Sequence, residues 1–93
     1  MMDSGPGYPT GIHPSAIIHP DASLAENVAV GPLTIIEAGA KIGSGSVIGP
    51  SCYIGSSVTL GANAVLHSGV RLMHRGTIGD RFIAHPGAVV GAD

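Results

Sequence analysis

The sequence predicts an all-β chain wound as a parallel β-helix, because two regularities run through almost its whole length. The first is an aliphatic residue at every sixth position, with alanine once in place of Ile, Leu or Val. An α-helix repeats every 3.6 residues and a hairpin sheet would break the count at each turn, whereas a fixed six-residue period is typical of a β-helix. The series comprises Ile12, Ile18, Leu24, Val30, Ile36, Ile42, Ile48, Ile54, Leu60, Leu66, Leu72, Ile78, Ala84 and Val90.

The second regularity is a small or compact residue two positions before each aliphatic one, with Phe82 as the bulky exception. Residues two apart in a strand share a face, so each hexad presents one large and one small side chain to the same interior. The small positions are Ala16, Ala22, Val28, Thr34, Ala40, Ser46, Cys52, Val58, Ala64, Val70, Gly76 and Ala88.

Glycine often follows the aliphatic residue and predicts a corner at the end of each short strand. Such a position favours glycine either because φ is positive or because another backbone passes close by. The glycines concerned are Gly31, Gly43, Gly49, Gly55, Gly61, Gly79 and Gly91.

This pattern resembles the hexapeptide-repeat proteins, whose chain forms a left-handed parallel β-helix of triangular section with three hexads per coil. The resemblance implies that residues eighteen apart stack at the spacing of neighbouring strands, about 4.8 Å. Four of the seven prolines, Pro14, Pro32, Pro50 and Pro86, lie on one such ladder, interrupted by Ser68. The repeat covers about 82 residues, which predicts about four and a half coils.

The residues one before each aliphatic position point outward and fall on three faces. Two adjoining faces are largely apolar, and we expect them to form a homotrimer. The alternative is that β-branched residues there only favour strands. One face carries Ile17, Ile35, Tyr53, Arg71 and Val89, the next Ala29, Val47, Val65 and Ile83, and the polar third Ser23, Lys41, Thr59 and Thr77.

Composition excludes several classes of function. The 93 residues fit one domain, with residues 11–93 as a partial β-helix and residues 1–10 as a disordered lead or an expression remnant. Charged residues are 11% of the chain, the net charge is −2 and aromatic residues are scarce, so we expect no nucleic-acid partner. No stretch reads as a membrane span or a secretory signal, which predicts a cytoplasmic protein.

Five histidines, His13, His19, His67, His74 and His85, are the main candidates for chemistry. His13, His67 and His85 share one eighteen-residue ladder, and the last two lie on adjacent coils. Two imidazoles so close either bind a metal between subunits, act as a base with its orienting partner, or are simply solvated. The spacing fixes no third ligand and no adjacent carboxylate.

Cys52 and a group of basic residues are further candidates for chemistry. Cys52 is the single cysteine and occupies an inward position, which predicts a buried inert thiol. A basic group formed by Arg71, His74, Arg75 and Arg81, with Asp93 one coil from Arg75, either meets a phosphate or an acidic carrier protein or forms a solvated rim. The solvated rim is favoured, because the sequence has no loop that would cradle a phosphate.

Three segments resemble bacterial UDP-3-O-acylglucosamine N-acyltransferase in particular. Residues 11–16, Gly-Ile-His-Pro-Ser-Ala, are similar to the entry into its β-helix, while residues 78–82 and 85–93 are similar to the middle of that helix. The likeness covers residues 11–93. Members transfer a 3-hydroxyacyl chain from acyl carrier protein to the amine of a UDP-sugar in lipid A synthesis, and also have a uridine-binding domain and a C-terminal helical segment.

The resemblance does not assign a catalytic residue. Residues 83–86, Ile-Ala-His-Pro, are similar to the family's catalytic Ile-Ala-His-Asn motif, but the residues that follow align with an earlier coil. We therefore name no catalytic, cofactor-binding or metal-binding residue and expect no cofactor. The leading hypothesis is a β-helix fragment, inactive alone because the nucleotide domain and catalytic coils are missing.

Two alternatives remain open. The first is a small complete hexapeptide-repeat acyltransferase whose site lies between subunits and uses His67, His74 or His85. The second is a metal-binding module of the carbonic-anhydrase-like branch, which the histidine spacing disfavours.

Overall fold

The computed structural model describes residues 11–73 and 76–91 and consists of short parallel strands joined by tight corners. The proposed lead at residues 1–10, together with His74, Arg75 and Asp93, lies outside the described residues. In the described ranges, no helix has the length and apolar character needed to cross a membrane. The strands are β1 (Gly11–Ile12), β2 (Ile17–Ile18), β3 (Ser23–Leu24), β4 (Ala29–Val30), β5 (Ile35–Ile36), β6 (Lys41–Ile42), β7 (Val47–Ile48), β8 (Tyr53–Ile54), β9 (Val58–Leu60), β10 (Val65–Leu66), β11 (Arg71–Leu72), β12 (Gly76–Ile78), β13 (Ile83–Ala84) and β14 (Val89–Val90).

Every third strand joins the same sheet, so the chain winds around three parallel sheets. The first sheet has the order β1-β4-β7-β10-β13, the second β2-β5-β8-β11-β14 and the third β3-β6-β9-β12. The register is eighteen residues throughout: Ile36 pairs with Ile54, for example, and Val65 with Val47. The predicted all-β parallel β-helix of about four and a half coils is therefore confirmed.

The aliphatic residue of each hexad fills the interior of the β-helix. In the central coils these side chains are almost completely buried, with Ile48, Ile54 and Leu72 at 0% exposure. The small position beside them is equally buried, as Ala40, Ala64 and Val70 show. Burial decreases toward the first coil, where Ile12 is 52% exposed. The core is thus one continuous column in which each coil covers its neighbours.

The structure resolves the choice left open for the glycines that follow the aliphatic residues: close backbone approach, not positive φ, accounts for them in the central coils. A Cβ on Gly31 would lie 2.8 Å from the Pro50 nitrogen, and one on Gly49 would lie 2.8 Å from the Leu66 oxygen. Neither glycine has a positive φ. Gly91 in the last coil belongs to the same series but has a φ of 87°. Elsewhere in the corners positive φ occurs two residues later, at Asn27, Leu33, Gly39, Gly45, Ser51, Ser57, Asn63, Gly69, Arg81 and Gly87.

The proline ladder lies at the corner that leads from the first sheet to the second. Its carbonyls help to hold successive corners together, since the Ser51 amide donates to the Pro32 oxygen at 2.9 Å and the Gly69 amide donates to the Pro50 oxygen at 3.0 Å. Proline has no N–H to donate, and at these positions only its carbonyl is needed. This corner, called the first corner below, also carries the histidine ladder.

Candidate functional site

The structure brings two of the five histidines together, on the outside of the first corner. His67 follows β10 and His85 follows β13, and their rings are stacked with centroids 6.4 Å apart and planes 8° from parallel. The His67 amide donates to the Ala84 carbonyl at 3.1 Å, which fixes the two backbones side by side. Both side chains are exposed. His67 and His85 are therefore neighbours, as the eighteen-residue ladder predicts.

The other described histidines are separate from this pair. His13 occupies the same ladder, but the two intervening coils have Gly31 and Gly49 at that position. Its Nδ1 accepts a hydrogen bond from the Ser15 amide at 3.1 Å. His19 lies at a different corner, where its Nδ1 accepts from the Asp21 amide at 3.0 Å. These two imidazoles serve local turns.

The stacked pair lacks the surroundings of a preorganised general base. Among the residues that the structure describes, no carboxylate hydrogen-bonds either ring, and no group of three or more His, Cys, Asp or Glu side chains is placed to hold a metal ion. A catalytic imidazole is ordinarily oriented by a second group. The pair therefore consists of two exposed imidazoles that no described carboxylate orients.

Cys52 lies inside the β-helix beneath this pair. It is 2% exposed, and its Sγ donates a hydrogen bond to the His67 carbonyl oxygen at 3.1 Å. Burial raises the pKa of the Cys52 thiol, although backbone hydrogen bonds from Val70, Gly69 and Gly49 act in the opposite direction. A buried, neutral thiol agrees with the inert cysteine that the sequence predicts.

A second polar cluster, which the sequence analysis did not identify, lies on the outer side of the second sheet. The Tyr53 hydroxyl and the Glu37 Oε2 are hydrogen-bonded at 3.1 Å, and the Arg71 guanidinium lies 5.4 Å from the centre of the Tyr53 ring. Partial desolvation and the Glu37 carboxylate raise the pKa of Tyr53, while Arg71 lowers it. The eighteen-residue spacing of Tyr53 and Arg71 was the available signal.

The two described arginines of the proposed basic group lie on different parts of the surface. Arg71 lies in β11 on the second sheet, whereas Arg81 has a φ of 58° at the corner between the third and first sheets. Arg71 also contacts Tyr53 instead of a carboxylate. The remaining members of the group lie outside the described residues.

The two apolar faces are exposed to different degrees. Ile17 and Val89 on the second sheet are 64% and 61% exposed, and Ile83 on the first sheet is 59% exposed. Ala29, expected to point outward on the first sheet, is only 2% exposed in the single chain. The larger exposed apolar side chains thus belong mainly to the second sheet and to the last coil of the first.

Comparison with known families identifies the repeat. Residues 39–74 match the family described as bacterial transferase hexapeptide (six repeats). This match and the three-sheet architecture together show a hexapeptide-repeat β-helix. A search of curated protein sequences gave no significant match.

Two solved structures of acyltransferases have a similar fold. UDP-N-acetylglucosamine acyltransferase from Arabidopsis is 34% identical over 84% of this chain, with a TM-score of 0.80. A variant of GDP-perosamine N-acetyltransferase from Caulobacter crescentus, in complex with CoA and GDP-perosamine, is 32% identical over 92% of this chain, with a TM-score of 0.63. The chain spans 28% and 50% of the lengths of these two proteins.

Proposed function

We propose that this chain, whose residues 39–74 carry the bacterial transferase hexapeptide repeat, is the β-helix part of a nucleotide-sugar acyltransferase. The type proposed is UDP-3-O-acylglucosamine N-acyltransferase of lipid A synthesis. The observation that carries the proposal is the similarity to two acyltransferases whose names both include a nucleotide-linked sugar. The motifs at residues 11–16, 78–82 and 85–93 favour the N-acyltransferase over the other members.

The reaction defines what the complete site must supply. The sugar amine attacks the thioester carbonyl carbon, an N–C bond forms as the C–S bond breaks, and a base takes the proton that the amine loses. The thiolate of the carrier leaves and takes up a proton. A catalytic base needs to reach the amine and to have its own orientation fixed.

In this proposal the described residues form the rigid wall of the site and do not supply its base. His67 and His85 are exposed and have no carboxylate partner in the described ranges. The column of buried aliphatic side chains, with Ile48 and Ile54 at 0% exposure, provides stiffness. We therefore expect the 93-residue chain alone to show no turnover.

The proposal includes a homotrimer formed through the outer sides of the first and second sheets. Ile17, Ile83 and Val89 are each more than half exposed, and large apolar side chains in that state favour burial against another surface. Two apolar faces that adjoin at one corner suit a closed ring in which each face meets a neighbouring copy. The partners expected for the parent enzyme are acyl carrier protein and UDP-acylglucosamine.

The stacked histidine pair favours one second candidate, a small complete acyltransferase that uses these imidazoles between subunits. An assay with a 3-hydroxyacyl thioester of acyl carrier protein and UDP-3-O-acylglucosamine separates the candidates. The β-helix proposal predicts no product above the uncatalysed rate. Turnover that disappears in His67→Ala or His85→Ala, but not in His19→Ala, would establish the second candidate instead.

A further inference from the structure

We propose that His67 and His85 form a two-imidazole site for one borderline divalent transition-metal ion, of the class Ni²⁺, Cu²⁺ and Zn²⁺. The juxtaposition that carries the proposal is the stacking of the two rings on adjacent coils, with centroids 6.4 Å apart. The acyltransferase proposal uses no metal, so this inference goes beyond it.

The backbone holds the two side chains at a spacing that one metal ion can bridge. The coils are joined by the hydrogen bond from the His67 amide to the Ala84 carbonyl, and β10 pairs with β13 through Val65–Ile83 and Leu66–Ala84. Metal–nitrogen bonds to imidazole are about 2.0–2.1 Å long, so two donors on one ion lie roughly 3 Å apart. Both rings are exposed, so the proposed site requires only that rotation about side-chain bonds bring one nitrogen of each to this distance.

The donor set selects the class of ion. Imidazole nitrogen suits Zn²⁺, Cu²⁺ and Ni²⁺, whereas Mg²⁺ and Ca²⁺ require oxygen ligands. Among the described residues, no carboxylate contacts either ring. In the single chain, water is expected to fill the remaining coordination positions. Affinity is expected to be highest for Cu²⁺, following the usual order for nitrogen ligands.

The chain contains its own matched controls. His13 lies on the same ladder and at the same corner as the pair, but its neighbouring coils present Gly31 and Gly49. It is therefore a single imidazole in the same type of backbone setting. His19 is a second single imidazole, at another corner and engaged with the Asp21 amide. A two-imidazole site predicts that removing either control leaves binding unchanged.

Titration calorimetry of the full chain with Ni²⁺ and Cu²⁺ at pH 7.5, with Mg²⁺ as the negative control, tests the proposal. We expect one Ni²⁺ or Cu²⁺ per chain and no Mg²⁺ binding. His67→Ala or His85→Ala should weaken the site at least about tenfold, because each leaves one imidazole ligand. His13→Ala and His19→Ala should change affinity less than about twofold, because neither touches the pair.

A triple variant, His13→Ala/His19→Ala/His74→Ala, isolates the pair from every other imidazole in the chain. It should retain the one-ion site, and adding His67→Ala to it should remove that site. Thermal unfolding with and without Zn²⁺ gives a second readout, because an ion that binds the folded chain raises its Tm. Unchanged affinity in His67→Ala and His85→Ala, or loss of the site in the triple variant, would overturn the proposal. Circular dichroism verifies that each variant is folded.

Discussion

The hydroxyl of Thr34 donates a hydrogen bond to the carbonyl oxygen of Gly49 at 2.8 Å, inside the β-helix. The Thr34 hydroxyl oxygen in turn accepts a hydrogen bond from the Cys52 amide at 3.3 Å, so one buried hydroxyl satisfies two backbone groups of the next coil. Ser46 repeats the arrangement at another corner, donating to Gly61 at 3.0 Å and accepting from the Ala64 amide at 3.1 Å. Inward hydroxyl groups therefore link adjacent coils through hydrogen bonds to backbone groups.

Replacing Thr34 with Val should lower the free energy of unfolding by about 1–3 kcal/mol, because buried backbone groups lose a partner while the side-chain shape is nearly kept. Urea unfolding followed by circular dichroism measures the change. Thr59→Val is the matched control, since Thr59 lies on the outer side of β9 and should change stability by less than about 0.5 kcal/mol. Equal effects at the two positions would contradict the linking role of Thr34.

Gly49→Ala should destabilise the fold by about 1–3 kcal/mol, because the new Cβ would lie 2.8 Å from the Leu66 carbonyl oxygen and backbone must shift. Gly79→Ala is the control at the same position of its hexad, where a Cβ meets nothing within 4 Å. Thermal unfolding of the two variants should show a clear loss of Tm for Gly49→Ala alone. A comparable loss for Gly79→Ala would show that lost glycine flexibility, not close approach, governs these positions.

The raised pKa of Cys52 predicts a dependence of stability on alkaline pH. Burial favours the neutral thiol, so the unfolded chain ionises first as pH rises above about 8.5, the ordinary thiol value. This contribution is fully present below that pH and decreases as pH rises toward the folded-state pKa. Urea unfolding from pH 7 to 10 should show a steeper decline for the natural chain than for Cys52→Ala. Parallel pH profiles would refute the assignment.

Lysine at an exposed apolar position should disrupt the proposed trimer. Ile83→Lys and Val89→Lys place a charge on the first and second sheets, where the natural side chains are 59% and 61% exposed. Light scattering should show a trimeric mass for the natural chain and a lower mass for both variants. Thr77→Lys, in the same coil but on the polar third sheet, should remain trimeric. A monomeric natural chain would exclude the trimer at that concentration.

The six-residue period predicts most of the fold because it reports directly on burial. Ile36, Ile48 and Ile54 must all point inward, and only a coil of fixed length keeps eighteen-residue neighbours such as Ile36 and Ile54 paired. The same period cannot show which glycine function applies, since close approach and positive φ both favour glycine. The structure was needed to place Leu33 and Arg81 in the left-handed region, where sequence alone gives no glycine signal.

The surface chemistry was less predictable, because it depends on side-chain direction as well as on register. The ladder predicts that His67 and His85 are neighbours, and the structure adds that their rings are parallel and stacked. The contact between Tyr53 and Glu37 joins residues sixteen apart, which an eighteen-residue ladder does not pair. A contact that runs diagonally between adjacent coils therefore cannot be predicted from register alone.

A chimera provides the most direct measurement of the proposed function. In it, residues 11–91 of this chain replace the corresponding hexads of an active UDP-3-O-acylglucosamine N-acyltransferase, and product is measured with 3-hydroxyacyl carrier protein as donor. Circular dichroism and light scattering first establish that the chimera is folded and has the parent's oligomeric state. The account predicts N-acylated product, with none from the 93-residue chain alone. A folded chimera of the correct mass that forms no product would contradict it.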